Sequence, residues 1–331
     1  VRRWAQNPPS EDALKALITG ISGFVGSHLA EYLLQNRPWK VAGTVYGPTD
    51  NIAHIQGQLE LHPLELSDLD AVVRLLEQTK PDFIFHLAAQ PVVQLSRKDP
   101  WFTLSNNIRA QLNILEGVRR AGAKARVLVV GSSEEYGLVY SDEVPVRETN
   151  PFRPMSPYAV SKIAQDMLGF QYFLSDGLDV VRVRPFNHIG PRQGLGFVAP
   201  DFAKQIAEAE AGLRAPVIRV GNLHAKRDFS DVRDVVRAYV LLMEKGESGE
   251  VYNVGSGQAR EIQEVLDVLL SLACVRIRVE QDPERMRPSD IPAVVADCTR
   301  LRERTGWEPE IPFEQSLLDV LEYWRQKVVG R

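Results

Sequence analysis

The stretch Gly20-Ile21-Ser22-Gly23-Phe24-Val25-Gly26 constrains this chain more than any other, because of what flanks it. Leu14 to Thr19 (LKALIT) is a short apolar run that reads as a buried parallel strand. Ser27 to Asn36 (SHLAEYLLQN) carries helical spacing. Glycines between a strand and a helix allow a tight turn and close backbone approach to a pyrophosphate. The helix N-terminus supplies unpaired N–H groups and partial positive charge. Gly20, Gly23 and Gly26, with Phe24 and Val25 between them, are therefore candidate contacts to a dinucleotide. A glycine pattern alone is weak; its place between strand and helix gives it weight.

The alternation continues. Strands are expected at Lys40 to Val45, Leu59 to Leu64, Asp82 to Leu87, Arg126 to Val130 and Asp179 to Arg184. Helices are expected at Leu69 to Gln78, Asn107 to Ala121 and Tyr158 to Phe173. Such a pattern predicts an α/β fold with a Rossmann-type, doubly wound parallel sheet. After Asn187 the texture changes, with Pro191, Gly194, Gly196 and Pro200 crowded together. A smaller lobe is expected there, and Glu250 to Val254 (EVYNV) is read as a return to the sheet. The expected division is a loose leader at 1–13, a dinucleotide-binding domain at 14–188 and 228–256, and an interleaved C-terminal substrate lobe at 189–227 and 257–331.

Tyr158 and Lys162 stand four residues apart on an expected helix and so share a face. A free phenol is a poor base at neutral pH. A neighbouring ammonium, with a positive nicotinamide ring, would stabilise the phenolate and let Tyr158 exchange a proton with a sugar hydroxyl or ketone. Ser132 follows the strand Arg126 to Val130 at its carboxyl end, where ligands of doubly wound sheets sit. Its hydroxyl can bond the same oxygen. Glu134 has two readings, a base toward carbon or a hydrogen-bonding partner for a substrate hydroxyl. The pair Glu134-Glu135 also reads as a solvated acidic couple.

The acid that would read the 2′-hydroxyl of NAD belongs about 20 residues after the glycine turn. Val45 stands there, followed by Tyr46-Gly47. No carboxylate repels a 2′-phosphate and no arginine grips one, so NADP(H) is favoured and NAD(H) stays open. A formal net charge of -4 over 331 residues gives no sign of a nucleic-acid surface. Two cysteines, Cys274 and Cys298, suggest neither a disulfide framework nor a metal cluster, which suits a cytoplasmic protein. No apolar run is long enough to span a bilayer, so no membrane partner is expected.

These residues together resemble the extended short-chain dehydrogenase/reductase family, in its nucleotide-sugar branch. The resemblance runs from Ala16 to Pro309. It is carried by Thr19-Gly20 through Gly26, His86-Leu87-Ala88-Ala89, Asn107, and Tyr158 with Lys162. Arg184-Pro185-Phe186-Asn187, Arg227-Asp228-Phe229, Arg287-Pro288-Ser289-Asp290 and the tail Thr305-Gly306-Trp307-Glu308-Pro309 extend it. It implies cofactor contacts from Glu65, Leu66, Leu87, Ala88 and Ala89, and from Tyr158 and Lys162. It implies substrate contacts from Asn187, with Arg227 and Arg287 on a GDP diphosphate.

Phe186-Asn187-His188 and Gly221-Asn222-Leu223 resemble the GDP-mannose branch, which holds 4,6-dehydratases and 4-ketone reductases. Dehydratases usually carry Gly-Gln-Asp-Gly where Gly23-Phe24-Val25-Gly26 stands here. Gly131 to Gly137 (GSSEEYG), Arg153-Pro154-Met155-Ser156 and His188-Ile189-Gly190-Pro191 look closer to the reductases. The implied activity is NAD(P)H-dependent reduction of the C4 ketone of GDP-4-keto-6-deoxy-D-mannose to GDP-D-rhamnose. Dehydration of GDP-mannose, or another nucleotide-sugar reaction of the family, is the alternative. A cofactor-sensing regulator is a third reading, ranked low because such proteins often lose the tyrosine or lysine. The family also implies a homodimer paired through the helix at Asn107 to Ala121 and the one beginning at Tyr158.

Overall fold

The computed structural model describes residues 13–283 and 293–330. Strand β1 (Lys15–Thr19) shows why the apolar runs do not alternate with polar residues. Ala16 and Ile18 enter one core and Leu17 another, and all three are fully buried. A strand covered by helices on both faces has no solvent side. Helix α1 (Phe24–Asn36) follows, then β2 (Lys40–Val45), β3 (Glu60–Pro63), α2 (Leu69–Thr79) and β4 (Phe83–His86). Next come α3 (Val93–Lys98), α4 (Pro100–Ala121), β5 (Arg126–Val130), α5 (Pro157–Asp176) and β6 (Val180–Pro185). The chain continues through β7 (Asn187–Ile189), α6 (Val198–Glu210), β8 (Val217–Val220), β9 (Lys226–Asp231), α7 (Val232–Lys245) and β10 (Val251–Val254). It closes with β11 (Ala259–Glu261), α8 (Ile262–Ser271), β12 (Arg278–Gln281), β13 (Ala293–Val294), α9 (Thr299–Thr305) and α10 (Phe313–Val329).

Seven strands form one sheet in the order β10-β6-β5-β4-β1-β2-β3. Every pairing in it is parallel. From β1 the chain winds outward through β2 and β3, then returns to β4 on the other side of β1. That reversal opens a crevice at the carboxyl ends of β1 and β4, where doubly wound sheets bind ligands. Leu29 and Leu33 of α1 and Val235 and Tyr239 of α7 fill one face of the sheet. Leu75 of α2, Ile114 of α4 and Tyr172 of α5 fill the other.

The expected helices start earlier than their apolar periodicity suggests. Helix α4 begins at Pro100, not Asn107, because the Asp99 side chain accepts from Phe102 N (2.9 Å) and Pro100 fits the first turn. Helix α5 begins in the same way, with the Ser156 hydroxyl accepting from Ala159 N (3.1 Å) and Pro157 next.

In the smaller part, β9 pairs with β7, β11 and β13, and β8 pairs with β12. Phe202 and Ile206 of α6, Leu266 and Leu269 of α8, and Leu317 and Leu321 of α10 make its core. Residues 228–231 lie on β9 in the small sheet, while α7 packs on the large core and β10 joins the large sheet. The chain thus crosses back at Asp231–Val232 and leaves again after Val254. Among the described residues no helix is long and apolar enough to cross a membrane.

Candidate active site

The glycine turn lies at the crevice. Gly20 has φ +68°, in the left-handed region that favours glycine, and a Cβ there would also press on Ala88 Cα at 3.1 Å. A Cβ on Gly26 would sit 2.3 Å from the Gly20 carbonyl oxygen, so the first turn of α1 packs directly on the end of β1. Gly23 caps α1 without a side-chain bond, and Gly23, Phe24, Val25 and Gly26 line the cleft. This cradle fits a dinucleotide phosphate.

Thr19 ties the turn to the segment after β4. Its hydroxyl oxygen accepts from Leu87 N and Ala88 N, each at 3.1 Å, and lies 2.8 Å from His86 Nδ1. With two N–H groups on the oxygen, its hydrogen goes to Nδ1, which leaves the His86 proton on Nε2. Burial pushes His86 down to about 3, so the ring is neutral. Leu87 and Ala89 line the cleft, and Ala88 packs against Gly20.

Ser132, Tyr158 and Lys162 are brought together as the sequence implies. All three are buried and line the same cleft of about 550 Å³. Lys162 Nζ donates to the Val130 carbonyl (2.8 Å) and lies 5.9 Å from the centre of the Tyr158 ring. Burial pushes the Tyr158 phenol up, with Glu134 and Glu135 adding to the rise and a Ser132 hydrogen bond opposing it. The expected lowering by Lys162 is absent here, since the ammonium spends its bond on Val130 and burial dominates. The phenol therefore holds its proton at neutral pH. Burial pushes Lys162 down to about 8, against the attraction of Glu135.

Asn107 holds the walls in place. Its side chain accepts from Gln90 N (2.8 Å) and donates to Gln90 O (3.2 Å) and Ser161 Oγ (3.0 Å). The loop after β4 is thereby locked to α5, one residue before Lys162.

The remaining expected residues divide. Glu134 is exposed and lines the cleft, and so does Asn187. Glu135 is fully buried beside it, so the two acids are not a solvated couple. Glu65 and Leu66 follow β3 outside this cleft, where the Leu66 carbonyl accepts from Asn113 (2.8 Å) and Glu65 from Ser67 (2.7 Å). Arg227 lies on β9, outside the residues lining the cleft. Arg287 lies outside the described residues.

Sequence reasoning missed Asn51, Arg192 and Gln193, which also line the cleft. Arg192 donates to both Glu31 carboxylate oxygens (2.7 and 2.6 Å), to His28 Nδ1 (2.7 Å) and to Asn51 O (3.1 Å). Its φ of +72° is held by that set of bonds. Burial, with Arg192 beside it, pushes His28 down to about 4. Only the Gly190-Pro191 turn before Arg192 signalled this clamp.

Comparison with known proteins agrees with this geometry. The family model for GDP-mannose 4,6 dehydratase matches residues 17–320. GDP-6-deoxy-D-mannose reductase of Pseudomonas aeruginosa is 38% identical over 95% of this chain and 98% of its own length. GDP-mannose 4,6 dehydratase 2 of Arabidopsis thaliana is 32% identical over 91% of this chain and 84% of its own. The solved structure of RMD from Pseudomonas aeruginosa complexed with NADPH superposes with a TM-score of 0.85 at 37% identity, covering 96% of this chain and all of that one. Its glycine cradle, buried Tyr158–Ser132–Lys162 set and full-length similarity make this chain a member of the GDP-mannose 4,6-dehydratase family of extended short-chain dehydrogenase/reductases.

Proposed function

We propose that the protein reduces the C4 ketone of GDP-4-keto-6-deoxy-D-mannose to GDP-D-rhamnose, with NADPH as the favoured reductant and NADH acceptable. The buried Tyr158 phenol beside Ser132, in the cleft that also holds the glycine cradle, supports proton transfer to a sugar oxygen, and the likeness to a reductase carries the choice of reduction. The 38% identical reductase of Pseudomonas aeruginosa and the NADPH-bound relative support it.

The dinucleotide, when bound, supplies the hydride. The glycine turn would hold its pyrophosphate, Leu87 to Ala89 its central part, and Glu65 and Leu66 its adenine end. Val45 and Tyr46 set no carboxylate against a 2′-phosphate. Tyr158 gives its proton to the sugar C4 oxygen, and Ser132 orients that oxygen. Lys162 would anchor the nicotinamide ribose. Asn187 would meet the sugar, and Arg227 and Arg287 the GDP diphosphate, where paired cations offset the cost of desolvating a double anion.

A second reading is dehydration of GDP-mannose, favoured by the exposed Glu134 in the cleft. There Glu134 would take the C5 proton and return one at C6. The complete tyrosine, serine and lysine set argues against a cofactor sensor. Incubation with GDP-mannose alone, then with the 4-keto-6-deoxy sugar and NADPH, followed by mass spectrometry, separates the readings. Stoichiometric NADPH loss with the keto sugar and no reaction with GDP-mannose is expected. Formation of the keto sugar from GDP-mannose without net NADPH loss would replace the first reading by the second.

A homodimer through α4 and α5 belongs to the same proposal. Val160, Met167 and Leu174 recur at seven-residue intervals on α5 and are 45%, 37% and 66% exposed. Trp101 and Leu112 on the adjacent α4 are 76% and 37% exposed. Such an apolar stripe is the seam that a four-helix pairing buries. A cytoplasmic setting is supported by two cysteines that are both unpaired.

A further inference from the structure

Glu135 is a buried acid beside the cleft that the mechanism leaves without a role. It is fully buried, and so are Asp166 of α5 and Arg182 and Arg184 of β6 beside it. Its Oε1 accepts from the backbone N–H of Ser132 at 2.8 Å. Its own N–H donates to the Ser132 carbonyl at 3.1 Å. To reach back this far the carboxyl folds over Gly131, where a Cβ would sit 2.1 Å from Oε1. Backbone and side chain of Glu135 together fix both peptide groups of Ser132.

The second carboxyl oxygen is in a different position. Oε2 lies 3.1 Å from Arg184 Nε but is a buried atom without a hydrogen-bond donor. Arg184 donates instead to Asp166, from Nε at 2.8 Å and NH2 at 2.6 Å, and from NH1 to Tyr136 Oη and the Glu148 carbonyl. Arg182 donates to the other Asp166 oxygen at 2.8 Å. Asp166 thus takes the arginine bonds, and the two carboxyls flank the same Arg184 Nε, at 3.1 Å from Glu135 and 2.8 Å from Asp166. A buried, undonated carboxylate oxygen next to a second carboxylate is costly. The Arg184 guanidinium between the two carboxyls offsets part of that cost. Burial and Asp166 both push Glu135 well above the usual carboxylate range, while Arg184 opposes them.

We propose that Glu135 is a positioning residue, whose carboxyl is braced beside Arg184 and holds the Ser132 peptide so that the Ser132 hydroxyl is set against Tyr158. The brace joins the three elements that carry the chemistry. Ser132 follows β5, Asp166 lies one turn beyond Lys162 on α5, and Arg184 immediately precedes the Pro185–Asn187 wall of the cleft. This inference rests on Ser132 and Tyr158 being the proton-donating pair, a role they would hold in reduction and dehydration alike.

Three variants test it: Glu135→Gln, Glu135→Asp and Glu135→Leu. Gln keeps an acceptor for Ser132 N–H at the same reach. Asp keeps a carboxyl but is one methylene too short to reach over Gly131. Leu keeps neither group. Turnover should stay within about threefold of wild type in the Gln variant and fall about 10- to 100-fold in the Asp variant, as misplacement of a reacting group does. KM for the sugar nucleotide and NADPH affinity, read by fluorescence titration, should stay unchanged in both. The Leu variant should match Asp if it folds, and the Gln–Asp contrast decides the matter if it does not. Full turnover in the Asp variant overturns the proposal, as does a Gln variant no better than Asp. Wild-type turnover on the keto sugar tests the functional reading separately. If GDP-mannose proves to be the substrate, the same three variants are compared on it.

Discussion

Tyr158 and Lys162 have environments that pull their chemistry in definite directions. Tyr158→Phe removes the proton donor but keeps the ring, so turnover should drop about 10²-fold or more while NADPH affinity holds. Near-normal turnover in a purified variant would remove Tyr158 from the mechanism. Lys162 binds its proton more weakly folded, at about 8, than at its ordinary 10.5. Between those values the unfolded chain holds a proton that the folded one has released, so this group's contribution to stability rises with pH there. Below about pH 8 its full penalty applies. The ammonium itself is lost above that same point, so kcat/KM for reduction should fall above about pH 8. A profile flat to about pH 10 would show that Lys162 stays charged or does not matter. Glu134→Gln separates the two reactions, since a reductase loses only modest turnover and a dehydratase loses nearly all product. The split between Glu134 and Glu135 was not legible in the sequence. The two occupy a 3-10 turn over Ser133–Glu135, where successive side chains point about 120° apart. Adjacent acids there face opposite environments, which a linear reading of charge cannot see.

At the scale of elements, the centre of the large sheet was legible because β1, β4 and β5 are buried on both faces and read as apolar runs. The turn at Gly20, the crevice, and the convergence of Ser132, Tyr158 and Lys162 follow from the order of those strands. Helix starts were less legible, because α4 and α5 begin with a polar cap and a proline that carry no apolar periodicity. Those caps hold the first turns of helices that build the site. Replacing Ser156 by Ala should cost about 1 kcal/mol of stability. It should also loosen the turn that carries Tyr158, so turnover should fall more than melting temperature suggests. A cap variant with an unchanged melting temperature would show that packing alone fixes that end of α5. The short strands of the lobe escaped the sequence reading because each is too brief to show a period. Arg192 escaped because its clamp joins α1, the loop after β2 and the segment after β7, which only the fold brings together.

At the scale of the whole molecule, the apolar stripe on α4 and α5 predicts association. Sedimentation at micromolar concentration should show a dimer, and Leu174→Glu should shift it to monomer without loss of the cofactor site. A wild-type monomer would count against the α4–α5 seam. The crossings at Asp231–Val232 and after Val254 have a consequence of another kind. The edge of the large sheet beyond β6 is completed by β10, and α7 covers its core, yet both are encoded after the first part of the lobe. The lobe in turn needs α8 and α10, encoded later still. A nascent chain therefore cannot finish either half before nearly all of it has left the ribosome. Maturation should be largely post-translational, and contacts between distant stretches of sequence should make it slow. Cutting the chain at Asp231–Val232 would leave neither fragment with a complete half, and the two should survive only together.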